Sequence, residues 1–276
     1  MAQTSNHNTS SGVYYLLLDN QIQVASKQTF RHRALRILNE TGIQNNSELS
    51  FSFDPSYERL TIHYIRILRA GQTISVLRRN SVKMLQREEN LESHIYDGAV
   101  TAQVFLEDVQ TGDIIDYAYS IHGSNPIFGD QFFTSFYTRL NHPIHYLRQR
   151  LLLPSSRTLY IKNHGTHIGP TIKHLPGIEE YVWEQSEIEP LILDSELPDW
   201  YIPYPWVQLT EFASWYKVAQ WATTLYPLKA SLSPELQKKI NELRTQHPKQ
   251  EDQILAALRF LQDEVRYLGI AFGENS

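Results

Sequence analysis

From Val13 to about Ile188 the apolar side chains recur at every second position, and that period narrows the fold more than any other feature of the chain. Leu60, Ile62 and Tyr64 alternate with Thr61 and His63; Val100, Ala102, Val104 and Leu106 alternate with Thr101, Gln103 and Phe105; Ile115, Tyr117, Tyr119 and Ile121 repeat the scheme. A period of two places alternate side chains on one face of an extended strand, so these segments read as half-buried strands. Asp19-Asn20, Ala70-Gly71, Asp97-Gly98, Thr111-Gly112-Asp113, His122-Gly123-Ser124-Asn125-Pro126 and Pro176-Gly177 supply the chain-reversing residues between them. Many strands at short spacing with no helix between them predict a mainly antiparallel β-sandwich over residues 10–190 in place of a βαβ sheet.

Residues 191–208 form a bridge rich in proline and aromatic residues, after which the period changes to 3.6 over residues 209–276. Thr210 is placed to cap a helix with Phe212, Trp215, Ala219, Ala222 and Tyr226 on one stripe, ended by Pro227. Ser233-Pro234 supplies an N-cap and first-turn proline for a second helix reaching Gln246. After His247-Pro248 a third carries Ile254, Leu258, Leu261, Val265 and Leu268 on one side. The fold class expected is therefore α+β, a β-sandwich followed by a short helical segment.

The chain contains no cysteine, which removes disulfides, thiolate metal sites and a cysteine nucleophile from its 276 residues. A formal charge of −5 with no Lys/Arg-rich run leaves no electrostatic footprint for nucleic acid. The apolar run Val13 to Leu18 is too short for a signal-peptide core or a membrane span.

His142-Pro143-Ile144-His145, and His164-Gly165-Thr166-His167 with His174, contain paired imidazoles. In a strand, a spacing of three sends the first pair to opposite faces. The second pair has no carboxylate at motif spacing, so loop and surface histidines are expected, with no metal or other cofactor. Carboxylates gather at Glu179, Glu180, Glu184, Glu187, Glu189, Asp194, Glu196 and Asp199, which fits a solvated charged face better than a glycosidase pair. Trp200, Tyr204 and Trp206, within Pro198 to Trp206, form the densest aromatic group. Exposed, they would stack on sugar rings or a peptide; buried, they would cement the bridge. Gly-x-Ser-x-Gly, a phosphate loop and a dinucleotide fingerprint are absent from the sequence.

The chain resembles a bacterial family named domain of unknown function 3857. The segments that carry the resemblance are Phe53-Asp54-Pro55-Ser56-Tyr57, Tyr96-Asp97-Gly98, Asp108 to Asp113, Asn125-Pro126, Pro198-Asp199-Trp200, Phe212-Ala213-Ser214-Trp215 and above all Ala257 to Ile270. The resemblance implies an immunoglobulin-like sandwich lying before a transglutaminase-like core. In that core a Gly-Asp-Cys motif supplies the nucleophile of a Cys-His-Asp arrangement that attacks amide carbonyls. No catalytic residue carries over to this chain. It is expected to be the non-catalytic front part of a larger protein, with the core of the same polypeptide as its partner and the periplasm or cell envelope as the location of the parent. A carbohydrate- or peptide-binding sandwich using Trp200, Tyr204 and Trp206 is the competing expectation.

Overall fold

A computed structural model describes residues 11–78, 81–86, 95–96, 98–193, 196–198, 200–225, 231–265 and 269–270. They divide into two compact units, one reaching Phe212 and the other formed by residues 95–96 and 213–270.

In chain order the first unit contains β1 (Val13–Gln23), β2 (Gln28–Ile37), α1 (Glu40–Asn46), β3 (Glu48–Phe53), β4 (Glu58–Arg69), β5 (Gln72–Ser75) and β6 (Val82–Gln86). After β7 (Ile95–Tyr96), which belongs to the second unit, come β8 (Val100–Phe105), β9 (Ile114–Gly123), β10 (Phe133–Tyr137) and β11 (Ile144–Pro154). The first unit ends with β12 (Tyr160–His164), β13 (Thr171–Leu175), β14 (Ile178–Ile188) and β15 (Trp206–Thr210). The chain is thus mostly β.

Eight strands pair in the order β13-β14-β11-β1-β2-β9-β4-β5. Every neighbouring pair is antiparallel except β1 with β11, which run parallel from Tyr15 opposite Ile144 to Gln23 opposite Leu152. Two three-stranded sheets, β3-β8-β6 and β10-β15-β12, are antiparallel throughout. Each gives the large sheet a separate core. Leu35, Ile37, Ile65, Ile67 and Ile115 of the large sheet pack with Leu49, Phe51, Ala102 and Val104 of the first small sheet. Leu151, Leu153 and Trp183 pack with Val207 and Leu209 of the second. Full burial of each large apolar side chain contributes about 1.5–3 kcal/mol.

The small sheets cover one face. On β2 the alternation that puts Leu35 and Ile37 in the first core puts Arg33, Arg31 and Thr29 on the same side. These three line a cleft together with Leu151 and Trp183 of the second core.

The structure departs from three expectations of the sequence. Asp19-Asn20 does not turn the chain but lies inside β1, where the β1–β2 ladder runs unbroken from Leu17 to Gln23 and ends in a turn with Lys27 at φ 50°. A helix, α1, interrupts the strands: Asn39 Oδ1 accepts from the Gly42 N–H and caps it, a local signal that the surrounding alternation masked. Thr210 does not open a helix. It closes β15, because Val207 and Leu209 alternate inward and are fully buried between β10 and β12.

In the second unit α2 (Trp215–Leu225), α3 (Pro234–Gln246) and α4 (Gln250–Glu264) precede β16 (Gly269–Ile270), which pairs parallel with β7. Ser233 Oγ accepts from the Leu236 N–H and Pro234 stands in the first turn of α3, as the sequence predicts. Tyr226, Pro227 and residues 266–268, which figure in the helix expectations, lie outside the described residues.

Candidate functional site

The cleft between β2 and β10 is built around two arginines. Arg31 and Arg33 project from the covered face of β2. Arg31 stands opposite Asn20 on β1 and Tyr119 on β9, and Arg33 opposite Leu18 and Tyr117. Arg31 Nη1 donates to Tyr119 Oη at 3.1 Å, with its guanidinium carbon 5.8 Å from that ring's centroid. Arg33 Nη1 donates to the backbone carbonyls of Asp19 and His32, each at 3.1 Å, and Nη2 donates to Asn20 Oδ1 at 2.6 Å.

All of these acceptors are neutral. Among the described residues neither guanidinium has a carboxylate within ion-pair distance. No Asp or Glu among the described residues lines the cleft, which has a volume of about 300 Å³. Burial pushes the Arg33 guanidinium down, against an opposing pull from the phenols of Tyr117 and Tyr119. Burial likewise drives the Tyr117 phenol up, with Tyr15 adding to the rise, so it stays a neutral donor. A desolvated charge held only by dipoles is costly, and an anion placed beside it recovers part of that cost.

The other walls are mixed. Leu18, Leu147, Leu151 and Phe136 supply apolar surface, and Gln149 and Asn20 supply amides. Trp183 also lines the cleft; it is 1% exposed, and its indole N–H has no acceptor among the described residues. Four consecutive residues of β10, Thr134 to Tyr137, line the cleft. Side chains alternate along a strand, so four in a row bring the backbone of β10 into the wall. Among the described residues that strand pairs with β15 alone, which leaves its other edge without a strand partner.

The three aromatic residues singled out by sequence each have a separate neighbour. Trp206 stacks on His164 at 3.9 Å and 5°, Tyr204 tilts against Tyr137 at 5.2 Å, and Trp200, 81% exposed, meets Tyr201 edge-on at 6.3 Å. The histidines are dispersed as well. His142 precedes β11 beside Tyr15, a position outside any strand, while His145 Nδ1 lies 2.5 Å from Glu187 and His174 Nδ1 lies 2.6 Å from Glu179. The carboxylates of β14 have partners of their own, Glu180 with Arg150 and Glu184 with Tyr146 and Arg148. Asp194 and Asp199 lie outside the described residues.

On the opposite face of the large sheet, His63 Nε2 and Ser120 Oγ stand 2.7 Å apart. Ser120 is 4% exposed, so its hydroxyl cannot meet a carbonyl substrate and the pair serves the fold. Nearby, Asp116 lies 2.8 Å from His32 and accepts from Arg66 at 2.7 Å. Burial raises the Asp116 carboxyl, but these hydrogen bonds outweigh it and hold the group below its ordinary range.

Sequence reasoning passed over the arginines of the cleft, although β2 carries a signal. Arg31 and Arg33 extend the inward series Leu35, Ile37, so two cations stand where the alternation calls for apolar residues.

Residues 24–192, the segment holding Arg31, Arg33, Gln149 and Trp183, match the family described as a domain of unknown function with a solved structure, DUF3857. The fold is shared with a crystal structure from Parabacteroides distasonis described as a putative protease, at 14% identity and a TM-score of 0.77. The alignment covers 96% of this chain and 53% of that one, so the chain spans about half the length of that protein. No curated protein matches the chain.

Proposed function

The chain belongs to the DUF3857 family, and from that premise we propose that it is the non-catalytic N-terminal region of a larger transglutaminase-like, cysteine-dependent amide-bond enzyme, where it binds or positions substrate for the core. The observation that carries this reading is the alignment of nearly the whole chain with about half of a protein described as a protease. The absence of cysteine from all 276 residues agrees with it, since thiolate attack on an amide needs a group these residues do not contain. The immunoglobulin-like character implied by the resemblance belongs to the same proposal, as does an envelope location for the parent.

The test has two parts. The codons that follow Ser276 in the gene are expected to encode Gly-Asp-Cys and a later histidine, and their absence from the continuation would refute the reading. Purified 276-residue chain is expected to turn over no peptide amide, whereas the longer gene product does so and loses activity when its cysteine becomes alanine. Turnover by the short chain alone would equally overturn the proposal.

A second reading, glycan or peptide recognition through Trp200, Tyr204 and Trp206, draws support from the exposure of Trp200. Titration of a glycan and peptide panel against the chain and its Trp200→Ala variant tests it; binding that survives the substitution unchanged counts against it.

A further inference from the structure

We propose that the cleft of Arg31 and Arg33 binds the C-terminal carboxylate of an extended peptide, whose backbone adds to the open edge of β10. This deepens the substrate-positioning reading above and rests on it for biological meaning, though the binding itself does not require a core.

Three observations converge. Two guanidiniums sit two residues apart on one strand face, both hydrogen-bonded only to neutral acceptors among the described residues, in a cleft whose lining has no acidic side chain; Glu58, which feels the Arg31 charge, lies outside that lining. Arginine presents a planar fork that matches a carboxylate in two parallel hydrogen bonds, and among the described residues Arg31 has one donor engaged, by Tyr119. Next, the β10 edge away from β15 has no strand partner among the described residues and runs along the cleft wall, the kind of surface to which an extended peptide adds as a further strand. Finally, the half-buried Phe136 and Leu140 offer apolar surface to a peptide side chain beside the cationic end, backed by the buried Leu147, Leu151 and Trp183. The volume of about 300 Å³ suits the last one or two residues of a peptide, with the rest running out along the strand.

A free phosphate would satisfy the arginines but not the strand edge. A peptide amide would satisfy the edge but not the arginines. The experiment separates these cases by calorimetric titration of the 276-residue chain with acetyl-Ala-Leu-Ala bearing a free carboxylate, with the same peptide as its C-terminal amide, and with inorganic phosphate. The free acid is expected to bind at least about tenfold more tightly than the amide or phosphate, the ratio that one charge-assisted hydrogen-bonded pair supplies. Arg31→Gln should weaken the acid about tenfold and leave the amide unchanged. Arg33 is held by the backbone and could fail to fold when replaced, so the comparison of acid with amide on the unaltered chain stands independently of it. Equal binding of acid and amide, no binding of the acid, or phosphate binding as tightly as the peptide acid would each overturn the proposal. Such a failure leaves the accessory reading intact, because that one is decided by what the gene encodes after Ser276.

Discussion

Phe136 meets Trp183 edge-on, with ring centroids 5.3 Å apart and planes inclined at 66°. The pair joins β10 of a small sheet to β14 of the large one and forms the floor of the cleft. Trp183 is the largest of the fully buried side chains among the described residues. Trp183→Ala is expected to cost about 3–5 kcal/mol and Phe136→Ala, at a half-buried ring, about 2–3 kcal/mol, read as a fall in the urea midpoint. A double variant should lose less than the sum of the singles, because the edge-to-face contact is removed only once.

Gly12 and Gly42 cross where α1 begins. A Cβ built on Gly42 would overlap the carbonyl oxygen of Gly12, and that atom is backbone with little room to retreat. Gly42→Ala is therefore expected to destabilise by about 2–3 kcal/mol through overpacking alone. Gly71 is the contrast: nothing lies within 4 Å of its Cβ position, but its φ is +80°. Gly71→Ala should cost only about 1 kcal/mol, from backbone strain. Equal losses in thermal unfolding for the two variants would contradict this account.

Acid should weaken the fold through Asp113. Hydrogen bonds from Arg69 hold this 1%-exposed carboxyl below its ordinary range, Arg69 Nε donating to Oδ1 at 2.8 Å. The unfolded chain titrates near the ordinary value of about 3.9, so the stabilisation is complete above that pH and is lost as pH falls through the lower folded value. Asp113→Asn is expected to lower stability at pH 7 and to flatten the decline of the unfolding midpoint below about pH 4. An acid limb of unchanged steepness in the variant would show that other carboxylates dominate.

The aromatic bridge should separate into two classes. Trp200 is 81% exposed, and Trp200→Ala is expected to change stability by no more than about 0.5 kcal/mol. Trp206 lies in β15 and stacks flat on His164, so Trp206→Ala should cost about 1–2 kcal/mol from lost stacking and strand packing. Paired urea titrations of the two variants provide the check.

The sequence by itself determined what neighbours in the chain can decide. Alternation marked the strands around Leu60, Val100 and Ile115, glycines marked the turns at Gly71, Gly112 and Gly177, and Ser233-Pro234 marked the start of α3. All of these depend on side-chain period or on the backbone freedom of one residue. Tertiary structure alone decided that β1 lies parallel to β11, since that pairing joins residues more than 120 positions apart and no turn between them sets its register. It also turned Trp206 to Thr210 into the central strand of a small sheet, because two neighbours distant in sequence were waiting to pair with it. The cleft belongs to the same class. Arg31 and Arg33 could be read as cations on a strand, but whether a carboxylate faced them depended on which elements folded over β2. β10 lies over β2 while β11 and β14 lie further along the same sheet, and together they bring Thr134, Gln149 and Trp183 to the cleft and no acid, a combination that exists only once the chain has closed.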